Sequence, residues 1–123
     1  MIRLSVLPNS GVPAYKQLYE QLSQQILSGD LPAGTTLPPI RTVSKELGVS
    51  VITVRNAWDE LLSNGLIESK TGSGCFVADI RTKDLEKKRV EALSEKLAEL
   101  TDAAKKLGFT KEELLALIED NYK

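Results

Sequence analysis

Apolar residues recur at helical spacing in two short segments that follow each other closely near the middle of the chain. The first segment covers about 39–47 and ends at Gly48. Its apolar residues share one face of a helix: Ile40, Val43 and Leu47. The second segment begins after Ser50, whose hydroxyl can cap a helix, and extends to about Asn64. The pattern therefore predicts two amphipathic helices joined by a very short turn.

The second of these helices has two faces of opposite character. Its apolar stripe contains four residues: Val54, Ala57, Trp58 and Leu61. Ile52 and Asn56 point almost directly away from this stripe, and Thr53 and Arg55 flank them. On DNA, Ile52 could contact a thymine methyl group and Asn56 could bond to adenine. The stripe position of Trp58 favours a place in the core over stacking on a base.

Another helical pattern comes before this pair, and a hairpin pattern follows it. The first helix is opened by Pro13 and closed by Gly29, with these apolar residues: Tyr15, Leu18, Leu22, Ile26 and Leu27. Residues 30–39 contain three prolines and one glycine, which predicts a turn-rich connection. Residues 66–70 and 75–79 are strand-like and flank a turn, which predicts a hairpin with three to five loop residues. Three helices followed by a hairpin form a winged helix.

Small polar and cationic residues occupy positions that would suit DNA. A short-turn helix pair whose second helix presents Arg55 near its N-terminal end has the geometry that enters a major groove. Arg41, at the start of the preceding helix, lies off the apolar face of that helix. At the hairpin tip, Gly72 permits close approach of the backbone to a partner, and Lys70 and Thr71 adjoin it. The sequence thus predicts a DNA-binding surface made by the helix pair and the hairpin.

The last third of the chain shows a heptad pattern. Between Arg81 and Gly108 there is no proline or internal glycine, and apolar residues recur at alternating steps of three and four. We call these six positions the heptad seam: Val90, Leu93, Leu97, Leu100, Ala104 and Leu107. Thr110 and Glu113 form a capping-box pattern that opens a shorter helix. Its apolar residues are Leu114, Leu115, Leu117, Ile118 and Tyr122.

Two helices alone cannot bury both of these apolar faces. We therefore expect them to pair with a second copy of the chain in a two-fold dimer, with four helices in one bundle. The predicted interface contains the heptad seam together with Leu114 and Ile118. The expected fold is mainly α with a small β-hairpin wing: a winged helix-turn-helix domain over 1–78 and a two-helix dimerisation region over 79–123.

Composition narrows the classes of function. Sixteen Lys and Arg residues oppose 17 Asp and Glu residues, so the net charge of -1 gives no general basic signature. The chain has no His and one cysteine, Cys75, which argues against disulfide frameworks, His-containing metal sites and His-dependent catalysis. We therefore expect no enzyme activity, cofactor or metal. No long apolar run is present, so we expect neither a signal peptide nor a membrane span, and a cytoplasmic location.

Three segments in order resemble the GntR-type winged helix-turn-helix regulators of bacteria: "PAYKQLYEQLSQQILSGDLPAGTTLP", "IRTVSKELGVS" and "ITVRNAWDELLSNGLIESKTGSGCFV". The resemblance covers 13–77. The family often has Ser where Pro39 stands and Arg where Val51 stands. The family roles in DNA contact carry over to the following positions: Arg41, Ser50, Thr53, Arg55 and Gly72.

The short C-terminal region resembles that of the YtrA-like subgroup of GntR regulators. The resemblance implies a dimeric, sequence-specific repressor that binds a palindromic operator on double-stranded DNA. Genes for transporters of the ATP-binding-cassette type are frequent targets in this subgroup. The resemblance leaves room for an unidentified small-molecule effector. The acidic balance of charges keeps one alternative open, a winged-helix module that binds proteins without specific DNA binding.

Overall fold

In a computed structural model, residues 2–123 form five helices and one antiparallel hairpin; the side chain of Thr82 is not described. The elements are α1 (Ala14–Leu27), α2 (Ile40–Leu47), α3 (Val51–Ser63), β1 (Ile67–Lys70), β2 (Gly74–Val77), α4 (Thr82–Lys106) and α5 (Lys111–Asn121). The chain divides into two compact units: the first ends at Leu85 and the second covers Glu86–Lys123. The predicted boundary after residue 78 lies earlier, because Leu85 in α4 still packs against the core of the first unit.

The core of the first unit lies between the three helices and the base of the hairpin. The predicted apolar stripe of α3 is fully buried, since Val54, Ala57 and Leu61 are 0% exposed and Trp58 is 2% exposed. α1 and α2 both pack on α3. The other main core residues are Leu18, Leu22, Ile26, Leu31, Leu37, Val43, Leu66, Ile67 and Val77. Tyr15 was expected on the apolar face of α1 but is exposed, because it lies in the first turn, before the helix reaches the core.

The turn between α2 and α3 is set by local hydrogen bonds. Gly48 has φ 68°, a left-handed conformation that L residues with a side chain rarely adopt. In this conformation the amides of Gly48 and Val49 both donate to the carbonyl of Ser44, and the Ser44 hydroxyl donates to the carbonyl of Val49. The turn therefore ends α2 and immediately starts α3.

A third segment, which the sequence does not predict, pairs with the hairpin. β1 and β2 pair from Ile67 with Val77 to Lys70 with Gly74, which leaves three residues in the loop, as predicted. Residues 34–37 also run along the free edge of β2. There, the amide of Leu37 donates to the carbonyl of Cys75, and that of Val77 to the carbonyl of Thr35, at 2.9 and 2.8 Å. The connection expected to be only turn-rich therefore fixes the hairpin to the helices.

The second unit contains most of α4 and all of α5. Thr110 and Glu113 form the predicted capping box: the amide of Glu113 donates to Thr110 Oγ1 at 3.1 Å, and the amide of Thr110 donates to Glu113 Oε1 at 2.8 Å. Hydrogen bonding of the Glu113 carboxylate to the Thr110 backbone, and secondly to the Thr110 side chain, lowers the pKa of Glu113 below its ordinary value of 4.5. The box thus starts α5 just after the Gly108 turn.

Candidate nucleic-acid interface

The exposed face of α3 begins in its first turn. Burying the apolar stripe turns Ile52, Arg55 and Asn56 to the surface, and Ile52 is 66% exposed. The structure therefore gathers the three predicted side chains on one exposed surface.

Ser50 and Thr53, two further residues predicted to contact DNA, already form hydrogen bonds at the start of α3. Ser50 Oγ accepts a hydrogen bond from the amide of Thr53 at 3.1 Å, which caps the helix. The two hydroxyl oxygens are also 2.8 Å apart, so Ser50 and Thr53 share a hydrogen bond. Thr53 is half-buried, whereas Ser50 is exposed. Ser50 thus remains open to a partner while it holds the start of the helix.

Arg41 lies in the first turn of α2 and is exposed. Pro39 occupies the capping position of this helix and makes no side-chain capping bond, in keeping with its lack of a hydroxyl. Neither Arg41 nor Arg55 forms an ion pair or side-chain hydrogen bond with any other residue in the described part of the chain. Both guanidinium groups are therefore available to phosphate oxygens or to a guanine edge.

The hairpin tip presents Lys70, Thr71 and Gly72 to solvent. The tip is closed by a bond from the amide of Ser73 to the carbonyl of Lys70 at 2.9 Å, and Gly72 has φ 80°. A residue with a side chain would be strained in this conformation. The structure therefore brings all three predicted wing residues to one exposed turn.

Acidic residues on α3 lie farther along the helix than the predicted contacts. Asp59 is exposed and Glu60 is half-buried, and both come after Asn56. Asp59 is next to Arg55 on the helix surface, four residues later, but the two form no ion pair in the described part of the chain, and no carboxylate precedes Arg55 in α3. This local arrangement makes the net charge of -1 a poor guide to the surface that would meet DNA.

The heptad seam in the second unit is largely uncovered. Val90, Leu93 and Leu107 are 63%, 69% and 75% exposed, and Leu97 and Leu100 are 50% and 46% exposed. Ala104 is the exception at 7% exposed. Leu114 and Ile118 on α5 are half-buried. A single copy of the chain thus leaves five seam residues in water, where soluble proteins rarely keep a continuous apolar row.

Comparison with known proteins identifies the first unit. A sequence profile described as "Bacterial regulatory proteins, gntR family" matches residues 14–77, which contain α1, α2, α3 and the hairpin. The chain belongs to the GntR family. This confirms the resemblance inferred from the sequence motifs. GntR proteins of this kind are transcriptional regulators and not enzymes.

Two relatives match most of the chain, and one of them, YtrA, supports assignment to the YtrA-like subgroup of the GntR family. The repressor YtrA of Bacillus subtilis is 27% identical over 111 residues, covering 90% of this chain and 85% of YtrA. The regulator Rv1152 of Mycobacterium tuberculosis is 31% identical over 112 residues, covering 91% and 88% respectively. Three other GntR relatives are much longer proteins, of which the chain spans 15%, 32% and 41%.

One structural comparison involves DNA directly. The DNA-binding domain of AraR, solved in complex with operator ORX1, has a TM-score of 0.55 to this GntR chain and 33% identity, covering 62% of this chain and 98% of that one.

Within the described part of the chain, no helix has the length and apolar character needed to cross a membrane. No three His, Cys, Asp or Glu side chains come together as a metal-binding group among these residues.

Proposed function

We propose that the chain is a sequence-specific, DNA-binding transcriptional repressor that binds a palindromic operator as a homodimer. The observation that carries this proposal is the exposed surface formed by α2, the start of α3 and the hairpin tip, in which Arg41 and Arg55 have no side-chain partner among the described residues. Because its target is bacterial DNA, we expect it to act in the cytoplasm. By analogy with the YtrA-like subgroup, we propose a transporter operon as its target.

Roles follow from the chemistry of each exposed side chain. Arg41 and Lys70 suit phosphates at the edges of the site, which fix register without sequence information. Arg55, Asn56 and Ile52 suit the major groove, where they could contact guanine, adenine and thymine methyl groups respectively. Val51 replaces the arginine that many family members have, so base contact relies more on these three side chains.

The wing complements the helix. Gly72 and Thr71 form a tip without large side chains that can approach the backbone of a neighbouring groove, and Lys70 adds positive charge at the same point. A dimer would place two such heads on two half-sites related by a two-fold axis, which is why a palindromic operator is expected. Any small-molecule effector would act on this dimer.

The test is a binding titration with the full chain. A duplex is first selected by the chain from a random-sequence library, and a scrambled duplex of the same composition serves as reference. We expect log Kd of the selected duplex to change with log salt concentration by about 0.9 for each phosphate neutralised. If the selection enriches no sequence and no duplex binds, the protein-interaction alternative replaces this proposal.

Variants separate base contact from phosphate contact. Arg55→Ala should cost roughly 1–3 kcal/mol on the selected duplex and much less on the scrambled one. Arg41→Ala should weaken both duplexes alike and reduce the salt slope by about one. Lys105→Ala removes an exposed cation near the end of α4 and is the matched control. Unchanged affinity of both arginine variants would show that α2 and α3 do not form the DNA-binding surface.

A further inference from the structure

An N-terminal arm, residues 2–7, runs along α1 and is held there by glutamine side chains. Ser5 and Gln21 exchange two hydrogen bonds: the amide of Ser5 donates to Gln21 Oε1 at 3.0 Å, and Gln21 Nε2 donates to the carbonyl of Ser5 at 2.7 Å. Leu7 and Gln17 do the same at 2.8 and 3.0 Å. Each glutamine side-chain amide thus forms with the arm backbone the pair of hydrogen bonds that a neighbouring β-strand would otherwise form.

The spacing of the glutamines explains why the pattern can repeat. Gln25 Nε2 donates to the carbonyl of Arg3 at 2.9 Å, so three glutamines at intervals of four hold alternate arm residues. Four residues of helix rise about 6 Å, and two residues of extended chain advance about 6.6 Å. Because these distances nearly match, one helix can bind successive alternate residues of an antiparallel arm.

The opposite side of the arm reaches α2. Ile2, Leu4 and Val6 are half-buried and pack against the core. Ile2 and Leu4 also line a cleft of about 270 Å³ together with Val43 and Leu47 of α2. α1 and α2 each pack mainly on α3, so the arm, which bonds to α1 and borders α2 across this cleft, is a further segment next to both helices.

We propose that the arm is a strap that holds α2 in its DNA-binding position, with Gln17 and Gln21 as positioning residues. The link to DNA rests on the proposed function. α2 has 8 residues and one buried side chain, Val43, so its placement depends on its neighbours. When the strap is released, α2 and Arg41 occupy the binding position for a smaller fraction of the time, and the apparent Kd rises by the inverse of that fraction.

The experiment compares glutamines on the same helix in the full chain. Gln21→Met removes both hydrogen bonds to Ser5 while keeping an unbranched side chain with good helix propensity. Gln24→Met is the matched control, because Gln24 is exposed and its side chain makes no hydrogen bond within the described chain. We expect α2 amides of the Gln21 variant to exchange hydrogen roughly tenfold faster, with α3 amides unchanged. Kd for the selected duplex should rise roughly threefold to tenfold.

A second variant acts from the arm itself. Ser5→Pro removes the amide that donates to Gln21 and leaves α1 unaltered, so it should reproduce both effects. Unchanged exchange in α2 for both variants would overturn the strap, and so would equal acceleration in α2 and α3, which would indicate general destabilisation. Faster exchange with unchanged Kd would overturn its role in DNA binding. If the wild-type chain binds no duplex, the proposed function fails, whereas hydrogen exchange still decides whether the strap exists.

Discussion

At the scale of single residues, Ser50 combines a structural role with a proposed contact. Its hydroxyl caps α3 and bonds to Thr53, yet the side chain remains exposed beside Ile52. A DNA contact by Ser50 would therefore be made from a side chain that the fold already holds in one orientation. Such preorganisation reduces the entropy lost on binding.

Two substitutions at this position should separate the roles. Ser50→Ala removes the cap and should lower the free energy of unfolding by about 1 kcal/mol, measured by chemical denaturation. Ser50→Asp keeps a capping oxygen and should preserve stability, but its negative charge should weaken DNA binding through repulsion of phosphates. Ser63→Ala, at the exposed end of α3, is the stability control. Wild-type affinity in Ser50→Asp would place Ser50 outside the interface.

At the scale of helices and strands, the sequence pattern predicted local structure but did not predict which distant segments pair. Periodicity located α3 and its buried stripe, because both depend on residues within a few turns of each other. It did not find the pairing of residues 34–37 with β2 or the bonds between the arm and α1, since these join segments that are distant in sequence. The alternation of Ile2, Leu4 and Val6 is the signal that could have indicated an extended arm.

The same distinction applies to the candidate interface. The sequence predicted that Ile52 and Asn56 face outward, because they lie on the side of the helix opposite its buried stripe. The hydrogen bond between the hydroxyls of Ser50 and Thr53 did not follow, since it depends on side-chain orientations that helical periodicity does not give. Sequence pattern thus identified which side chains face outward and which hydroxyl caps the helix, but it did not show that Thr53 bonds to that cap.

The capping box of α5 gives an element-scale prediction. Because the folded state lowers the pKa of Glu113, the ionised carboxylate stabilises the fold above its ordinary pKa of 4.5. This contribution is lost as pH falls through the lowered pKa. Glu113→Gln keeps a side chain able to form the box but carries no charge. The variant should therefore melt at a lower temperature than wild type at neutral pH, and the difference should shrink below pH 4.5.

Circular dichroism melts from about pH 7 to about pH 3 would measure this difference. Glu112→Gln is the matched control, because Glu112 lies in the same first turn but its side chain accepts no bond from Thr110. The loss of stability with falling pH should persist in this control. A constant difference between wild type and Glu113→Gln across the titration would contradict a role for the ionised box.

At the scale of the whole molecule, the proposed function would depend on joining two DNA-binding heads. In the proposed interface, one head would offer few side chains for base contact, and Val51, at a position where many family members have arginine, would reduce that number further. Linking two heads raises the effective concentration of the second head once the first is bound. The affinity of the linked pair for DNA therefore rises without any new contact. The exposed heptad seam is the surface that could provide this link.

Dimerisation through the seam can be tested by placing charges within it. Leu97→Asp with Leu100→Asp puts two carboxylates into the proposed apolar interface, where burial without a partner is unfavourable. We expect sedimentation to show monomers at micromolar concentration and affinity for the selected duplex to fall by roughly 10²-fold or more, because avidity is lost. Both leucines are already half-exposed in one copy, so the fold of each unit should survive, as circular dichroism would show.

The control for this experiment adds the same charge to the same helix away from the seam. Ala92→Asp with Ala98→Asp changes two exposed positions of α4 that lie outside the heptad seam. This variant should remain dimeric and bind the selected duplex nearly as wild type does, since water continues to solvate its new carboxylates. A seam variant that stays dimeric would exclude the seam as the interface. A monomeric seam variant with unchanged affinity would show that one head suffices for binding, which removes the physical reason to expect a palindromic operator.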